Sequence, residues 1–292
     1  MLTSLQNPLI KKFRKLHQSK ERKRQRMFLL EGTHILMEAC ATGVAMNSVC
    51  FTQAWQDTHT HLMADISSLA DRIEVVSEAV LAAIATTVNP DGVVAIADSA
   101  WYDRLHNSSQ RLEQFAWQLT HPFLGIAVDN LQDPGNLGTI IRTCAAVEID
   151  QLWLSTNGVD PTHPKVLRAS AGQWFRVPMA VSSNLVDALA TSQSVQSTSS
   201  LQVIATCPDT DISYWDIDYS IPSLILVGNE GGGLSITLME KATHKVKIPQ
   251  ALHVESLNVA IATALVLYEA RRQRRYHSSL LKSLNKSSET HK

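Results

Sequence analysis

This sequence of 292 residues predicts two α/β domains, the second built on a mostly parallel sheet. Three observations lead there. From residue 123 onward, strand-length apolar runs alternate with helical patterns, and such alternation implies a parallel sheet covered on both faces. The first hundred or so residues carry a shorter alternating set of their own, within the usual size of a domain. Between the two lies a polar and aromatic stretch, 99–122, that includes Asp103, Arg104, His106 and Asn107. The expected division is therefore 1–98, a linker at 99–122, a second domain at 123–276, and a disordered polar tail at 277–292. Hydrophobic residues at 45% and charged residues at 18% exclude a disordered chain.

Residues 3–20 read as one basic helix with Leu5, Leu9, Phe13 and Leu16 on one side. FLLEG (28–32) reads as a strand and THILMEACATG as a helix ended by Gly43. A strand at 47–52, a helical or irregular stretch around 53–70, a strand IEVVS (73–77), a helix at 78–86 and a strand VVAIAD (93–98) complete the first domain. In the second, the strands are FLGIAV, QLWLS, RVPMAV, LQVIAT, SLILVG and HKVKIP. The helices are 137–147, 163–171, 184–191, 234–242 and 256–275, and TSQSVQSTSS (191–200) is a polar low-complexity loop.

The net charge is −1, but it is unevenly spread. Residues 1–26 hold nine lysines and arginines, among them Lys11, Lys12, Arg14, Lys15, Arg22, Lys23 and Arg24, against a single acid, Glu21. A second basic run, Arg271-Arg272-Gln273-Arg274-Arg275, lies near the C-terminus. One such run is as well explained by a solvated helix face. Two in a near-neutral chain favour a polyanionic partner. The start, MLTSLQNPLIKKF, has no apolar core for a signal peptide, and no apolar run reaches membrane-spanning length. Cys40, Cys50, Cys144 and Cys207 form no CxxC pair, so neither a zinc site nor a disulfide framework is expected, and a reducing cytoplasm fits.

Three loops at strand ends are chemically rich, where open α/β sheets bind ligands. In DNLQDPGNLGTIIRT, Pro134-Gly135 reads as a tight turn and Asn136 as the N-cap of a helix. Arg142 lies on that helix among Ile140, Ile141 and Ala145. It calls for a carboxylate, such as Asp129 or Asp133, or a phosphate. In LILVGNEGGGLS, three glycines precede a helix. They suit a close approach of backbone or a plain turn, while Glu230 disfavours a phosphate cradle. In KIPQALHVESLNVAIATALVLYEARRQRR, Ser256 reads as a helix cap and Asn258 as a poor helix former within the first turn.

In that order these loops resemble the three motifs of the SPOUT superfamily of RNA methyltransferases, in its SpoU/TrmH branch. SLQNPLIKKFRKLHQSKERKRQRMFLLEGTHILMEA is similar to the ribosomal-protein-like substrate-binding domain found ahead of the catalytic domain in a subset of that branch. The resemblance implies a C-terminal α/β domain threaded into a deep trefoil knot, binding of S-adenosylmethionine without a metal, a homodimer formed through that domain, and methylation of a ribose 2′-hydroxyl. It carries catalytic roles to Asn136, Arg142, Glu230, Ser256 and Asn258. Cofactor contacts fall near Thr206, Gly228, Ile248 and Leu257, and RNA contacts on the basic N-terminal residues. Cys144 stands where alanine is usual, and Gln250 where methionine is common. The N-terminal domain points to large-subunit (23S) ribosomal RNA. The alternatives are a tRNA 2′-O-methyltransferase and a non-catalytic RNA-binding protein that keeps the fold. A Rossmann dehydrogenase needs GxGxxG, which DPGNLG does not supply, and a Rossmann-type methyltransferase needs an acid where QLWLS is followed by Thr156-Asn157.

Overall fold

The computed structural model describes residues 1–106, 122–187, 189 and 201–289. The chain forms two compact units. The first comprises Met1–Asn107, Asp133–Arg142 and Val159–Arg176, and the second Ser108–Gln132, Thr143–Gly158 and Val177–Lys292.

The first unit opens with α1 (Pro8–Lys15) and α2 (Ser19–Gln25) in place of a single helix over 3–20. Asn7 caps α1, its side chain accepting the Leu9 amide at 2.9 Å, with Pro8 at the first helical position. The break at residues 16–18 has a physical cause. The buried Arg22 side chain donates through Nη1 to the carbonyls of Leu16 (3.0 Å) and His17 (2.9 Å), groups that a continuous helix would have used internally. Leu5 lies ahead of the helix and is exposed; Ile10 takes the expected core place beside Leu9, Phe13 and Leu16.

Strands β1 (Phe28–Glu31), β2 (Met46–Phe51), β3 (Ile73–Val75) and β4 (Val93–Ala97) form a sheet of order β1-β4-β2-β3. Only β2 and β3 pair in parallel. One core cluster joins Leu9, Ile10, Phe13 and Leu16 to Val80, Leu81 and Ile84 of a helix at Glu78–Ile84, against Leu29, Cys50, Val94 and Ile96 of the sheet. After β1 comes α3 (Thr33–Ala41). Part of the expected linker is helical, Ser99–His106; the remainder lies outside the described residues.

Among the described residues the second unit holds six parallel strands, β5 (Leu124–Val128), β6 (Gln151–Ser155), β7 (Met179–Ser182), β8 (Gln202–Thr206), β9 (Ser223–Val227) and β10 (His244–Val246). Their order is β10-β8-β9-β5-β6-β7. Central strands such as LGIAV and SLILV are buried along their whole length, which is why they read as continuous apolar runs without alternation. A core cluster on one face gathers Phe123, Ala127, Trp153, Val203, Leu224 and Leu226. The helix at Pro134–Val147 starts three residues earlier than expected. The last helix runs Val259–Glu289, past the end near 275 and through the stretch expected to be disordered; no glycine or proline after 275 stops it. Residues 191–200 lie outside the described residues. Among the described residues, no helix is long and apolar enough to cross a membrane.

Candidate active site

From β5 the chain steps outward through β6 to β7, then returns to place β8 and β9 on the other side. Strands β5 and β9 are thus neighbours across the switch point, whose carboxyl side is where open parallel sheets hold ligands. The first two motif loops leave from those two strand ends, and they are hydrogen-bonded to each other. Asp129, buried at the end of β5, accepts the Ser235 amide at 3.1 Å. Asn229 donates its side-chain amide to the Asn130 carbonyl (2.8 Å) and accepts the amides of Gly231 (2.8 Å) and Gly232 (2.9 Å). Glu230 accepts the Gln132 amide at 3.1 Å. Asn130 sits at φ 52°, a left-handed conformation that asparagine tolerates.

The glycine run is organised by Asn229, whose side chain takes two successive backbone donors in an Asx-type turn. Gly228 is fixed by its own loop: a Cβ there would come within 2.1 Å of the Gly233 carbonyl carbon and 2.3 Å of the Leu234 nitrogen. Sequence reasoning overlooked Asn229 and took Asp129 for a partner of Arg142 rather than for the tie between the two loops. Their signal was present, an asparagine two residues ahead of a glycine and a carboxylate closing a buried strand.

Thr206, Gly228 and Ile248 stand at or just beyond the carboxyl ends of β8, β9 and β10, which are adjacent in the sheet. Thr206 ends β8 and donates its hydroxyl to the Leu226 carbonyl at 3.2 Å. Ile248 and Leu257 are half-buried.

Two cap assignments need correction. Asp133, not Asn136, caps the Pro134–Val147 helix: its carboxylate accepts the Asn136 amide at 2.9 Å. That amide, helped by the Lys165 ammonium, holds the Asp133 carboxyl below its ordinary range against the opposing effect of burial. Asn136 lies in the first turn, half-buried. Likewise Asn258, not Ser256, caps the last helix, its side chain accepting the amides of Ala260 (2.9 Å) and Ile261 (3.3 Å). Ser256 is exposed in the preceding loop. Arg142 is exposed, although Ile140, Ile141 and Cys144 around it are buried, and among the described residues it makes no ion pair. Asp133 is paired with Lys165 instead, at 3.3 Å. Asn136 and Arg142 belong to the first unit; Glu230, Ser256 and Asn258 belong to the second.

The basic N-terminal set also divides. Lys11, Arg14, Lys15, Lys23 and Arg24 are exposed, with Arg24 paired to Glu21 at 2.6 Å. Lys12 is half-buried, donates to Asn47 at 2.7 Å, and has its pKa lowered by burial. Arg22 is corrected outright. Its side chain is 1% exposed and its guanidinium binds Asp160 at 2.7 Å, so it has no face left for a phosphate. The second basic run is mostly engaged within the protein, although Arg272 and Arg275 are exposed. The Arg274 guanidinium, its pKa lowered to about 10 by burial, donates to the carbonyls of Tyr219, Phe123 and Ile221. Arg271 pairs with Glu148 and Arg272 with Glu269.

Residues 124–268 match the model of the SpoU rRNA Methylase family, and residues 7–95 that of an MRM3-like substrate binding domain. An uncharacterized tRNA/rRNA methyltransferase of Synechocystis sp. is 46% identical over 274 residues, covering 93% of both chains. The 23S rRNA (guanosine(2553)-2'-O)-methyltransferase RlmP of Bacillus subtilis is 29% identical across 92% of this chain and 98% of its own. Among solved structures, an AdoMet-bound rRNA methyltransferase from Sinorhizobium meliloti superposes with a TM-score of 0.77 at 33% identity, over 93% of this chain and 97% of that one. With both domains matched in order and a near full-length relative at this identity, the chain belongs to the SpoU rRNA methylase family.

Proposed function

We propose that the chain is an S-adenosylmethionine-dependent ribose 2′-O-methyltransferase of large-subunit ribosomal RNA, acting as a homodimer through its C-terminal domain. The observation that carries this reading is the junction at the sheet's switch point, where the first two motif loops are held together by Asp129, Asn229 and Glu230. Beside it, three adjacent strand ends present backbone groups and the half-buried Ile248. Backbone donors and acceptors among apolar side chains fit a nucleoside with a flat apolar face and a polar edge. Thr206, Gly228, Ile248 and Leu257 would hold the cofactor, which supplies an electrophilic methyl group on a sulfonium. A knotted path for the C-terminal segment is part of the proposal and rests on the SpoU family match.

On the protein side, the ribose hydroxyl must lose its proton, which passes to solvent water, since a neutral hydroxyl is a weak nucleophile. A guanidinium keeps its proton to about pH 12 or above. Arg142 therefore serves as an electrostatic group that grips the neighbouring phosphate, orients the hydroxyl and stabilises the negative charge developing on its oxygen. Its exposure without an ion-pair partner among the described residues leaves it available for that phosphate. Asn136 orients the arginine or the ribose, Ser256 and Asn258 shape the backbone along the line of attack, and Glu230 ties the two motif loops.

Ribosomal RNA as substrate draws on the MRM3-like domain and on the 23S rRNA activity named for the Bacillus subtilis relative. It puts the reaction in the cytoplasm. The test incubates the protein with labelled S-adenosylmethionine and, separately, ribosomal RNA and tRNA, then digests to nucleosides for mass spectrometry. A 2′-O-methylnucleoside from 23S RNA is expected. Label only in tRNA would overturn the substrate, and label only on a base would overturn the reaction.

A further inference from the structure

Within the first unit, the segment 159–176 is fastened to the N-terminal residues by charge and by aromatic packing. Asp160 receives Arg22 through Nη2 (2.7 Å) and Nε (3.1 Å), the Ser19 hydroxyl (2.8 Å), and the amide and hydroxyl of Thr162 (2.9 and 2.5 Å). The remaining Arg22 nitrogen is taken by the carbonyls that end α1. Arg168 pairs with the buried Glu31 at 2.8 Å, which also accepts the amides of Thr86 and Thr87. Arg176 pairs with Glu38 at 2.9 Å, and Trp174 packs on Phe28 with ring centroids 5.1 Å apart.

The same segment grips the helix that carries Arg142. A Cβ on Gly138 would lie 2.4 Å from the Ala169 Cβ and 2.9 Å from the Val166 carbonyl oxygen, so the two helices touch backbone to backbone there. Lys165 adds its ion pair to Asp133 at the start of that helix. The basic helices are thus joined through Arg22 and Asp160 to the segment 159–176, whose Ala169 packs on Gly138.

We infer that Arg22 and Asp160 are positioning residues for the methyl-transfer reaction: they fix the RNA-holding face of the N-terminal domain at a set distance from Arg142, so that capture of RNA on one sets the register of the target ribose at the other. This rests on the proposed RNA methyltransferase activity and on the role given there to Arg142. It separates two kinds of N-terminal arginine and lysine. Exposed ones hold phosphates and set affinity; the buried one sets geometry and carries no phosphate.

The double variant Arg22→Met/Asp160→Asn removes both buried charges together, so that neither is left unpaired. The steady-state parameters on 23S RNA and the RNA dissociation constant are measured, with cofactor affinity by calorimetry. A register error of an ångström is worth roughly 100-fold in turnover. The expected result is a kcat lowered by about that factor, with RNA and cofactor affinities within about threefold of wild type. Unchanged kcat overturns the inference, as does a loss confined to RNA affinity, which would make Arg22 an RNA contact after all. Should the double variant fail to fold, Arg176→Gln decides, since it loosens the same junction from the surface: a fall in kcat at constant RNA affinity supports the inference, and wild-type kcat overturns it. A wild-type protein that methylates no RNA refutes the activity itself, a result distinct from either variant outcome.

Discussion

Arg142 occupies a helix turn whose neighbours Ile140, Ile141 and Cys144 are buried, yet it points to solvent. Replacing it with lysine keeps the charge and removes the planar fork that can hold a phosphate and a ribose oxygen together. Arg142→Lys is expected to lower kcat by about 100-fold while leaving cofactor affinity unchanged; single-turnover kinetics with calorimetry measures both, and near-normal turnover would reject the role. Asn258 makes a different kind of contribution. It takes two orphan amides at the start of a 31-residue helix, so Asn258→Ala should cost about 1 kcal/mol in urea unfolding and Asn258→Asp much less. At this scale the sequence marked the polar residues of the loops but assigned two helix caps to the wrong ones. Asp133 and Asn136 are both good caps, and the choice turned on Pro134, read as a turn residue when it is the first residue of the helix. Arg22 looked like its neighbours because only long-range packing against Asp160 distinguishes it from Lys23 or Arg24.

Among the elements, the parallel strands were the most legible, because burial on both faces leaves runs such as SLILV with no polar interruption. The first helix was less so: periodicity continues through residues 16–18, and the break comes from the Arg22 side chain taking carbonyls that the pattern assigns to the helix. The last helix offers a test of assembly. Ile261, Leu265 and Tyr268 lie at i, i+4 and i+7 on one face, and Ile261 is 52% and Tyr268 53% exposed. A contiguous exposed apolar stripe on a helix otherwise bearing Glu269 and Arg272 is a contact surface in want of a partner. The proposed homodimer supplies one. Ile261→Glu/Tyr268→Glu is expected to shift the protein to a monomer in sedimentation velocity without loss of helical content by circular dichroism, and a dimer that persists would move the interface elsewhere.

For the molecule as a whole, two domains and a parallel sheet could be read from alternation alone, whereas the inclusion of 159–176 in the N-terminal unit could not, since its partners lie more than 130 residues away in sequence. That arrangement places buried carboxylates in the first unit and gives its stability a definite pH dependence. For Glu31 and for Asp160, burial alone would raise the pKa. It is outweighed for Glu31 by hydrogen bonds from Thr86 and Thr87 and by Arg168, and for Asp160 by the Arg22 charge and by Thr162. Both folded-state values therefore lie below the ordinary carboxylate range. Depressed carboxylates contribute their full stabilisation above the unfolded-state pKa near 4 and lose it as pH falls through the folded value. Unfolding free energy measured by urea titration should therefore be flat with respect to these groups from pH 7 to about pH 5 and decline below about pH 4. In Arg22→Met/Asp160→Asn the part of that decline due to Asp160 disappears, so the acid limb of the variant is shallower than that of the wild type. An equally steep limb in the variant would assign the acid sensitivity to other carboxylates and leave the Arg22–Asp160 pair without a share in it.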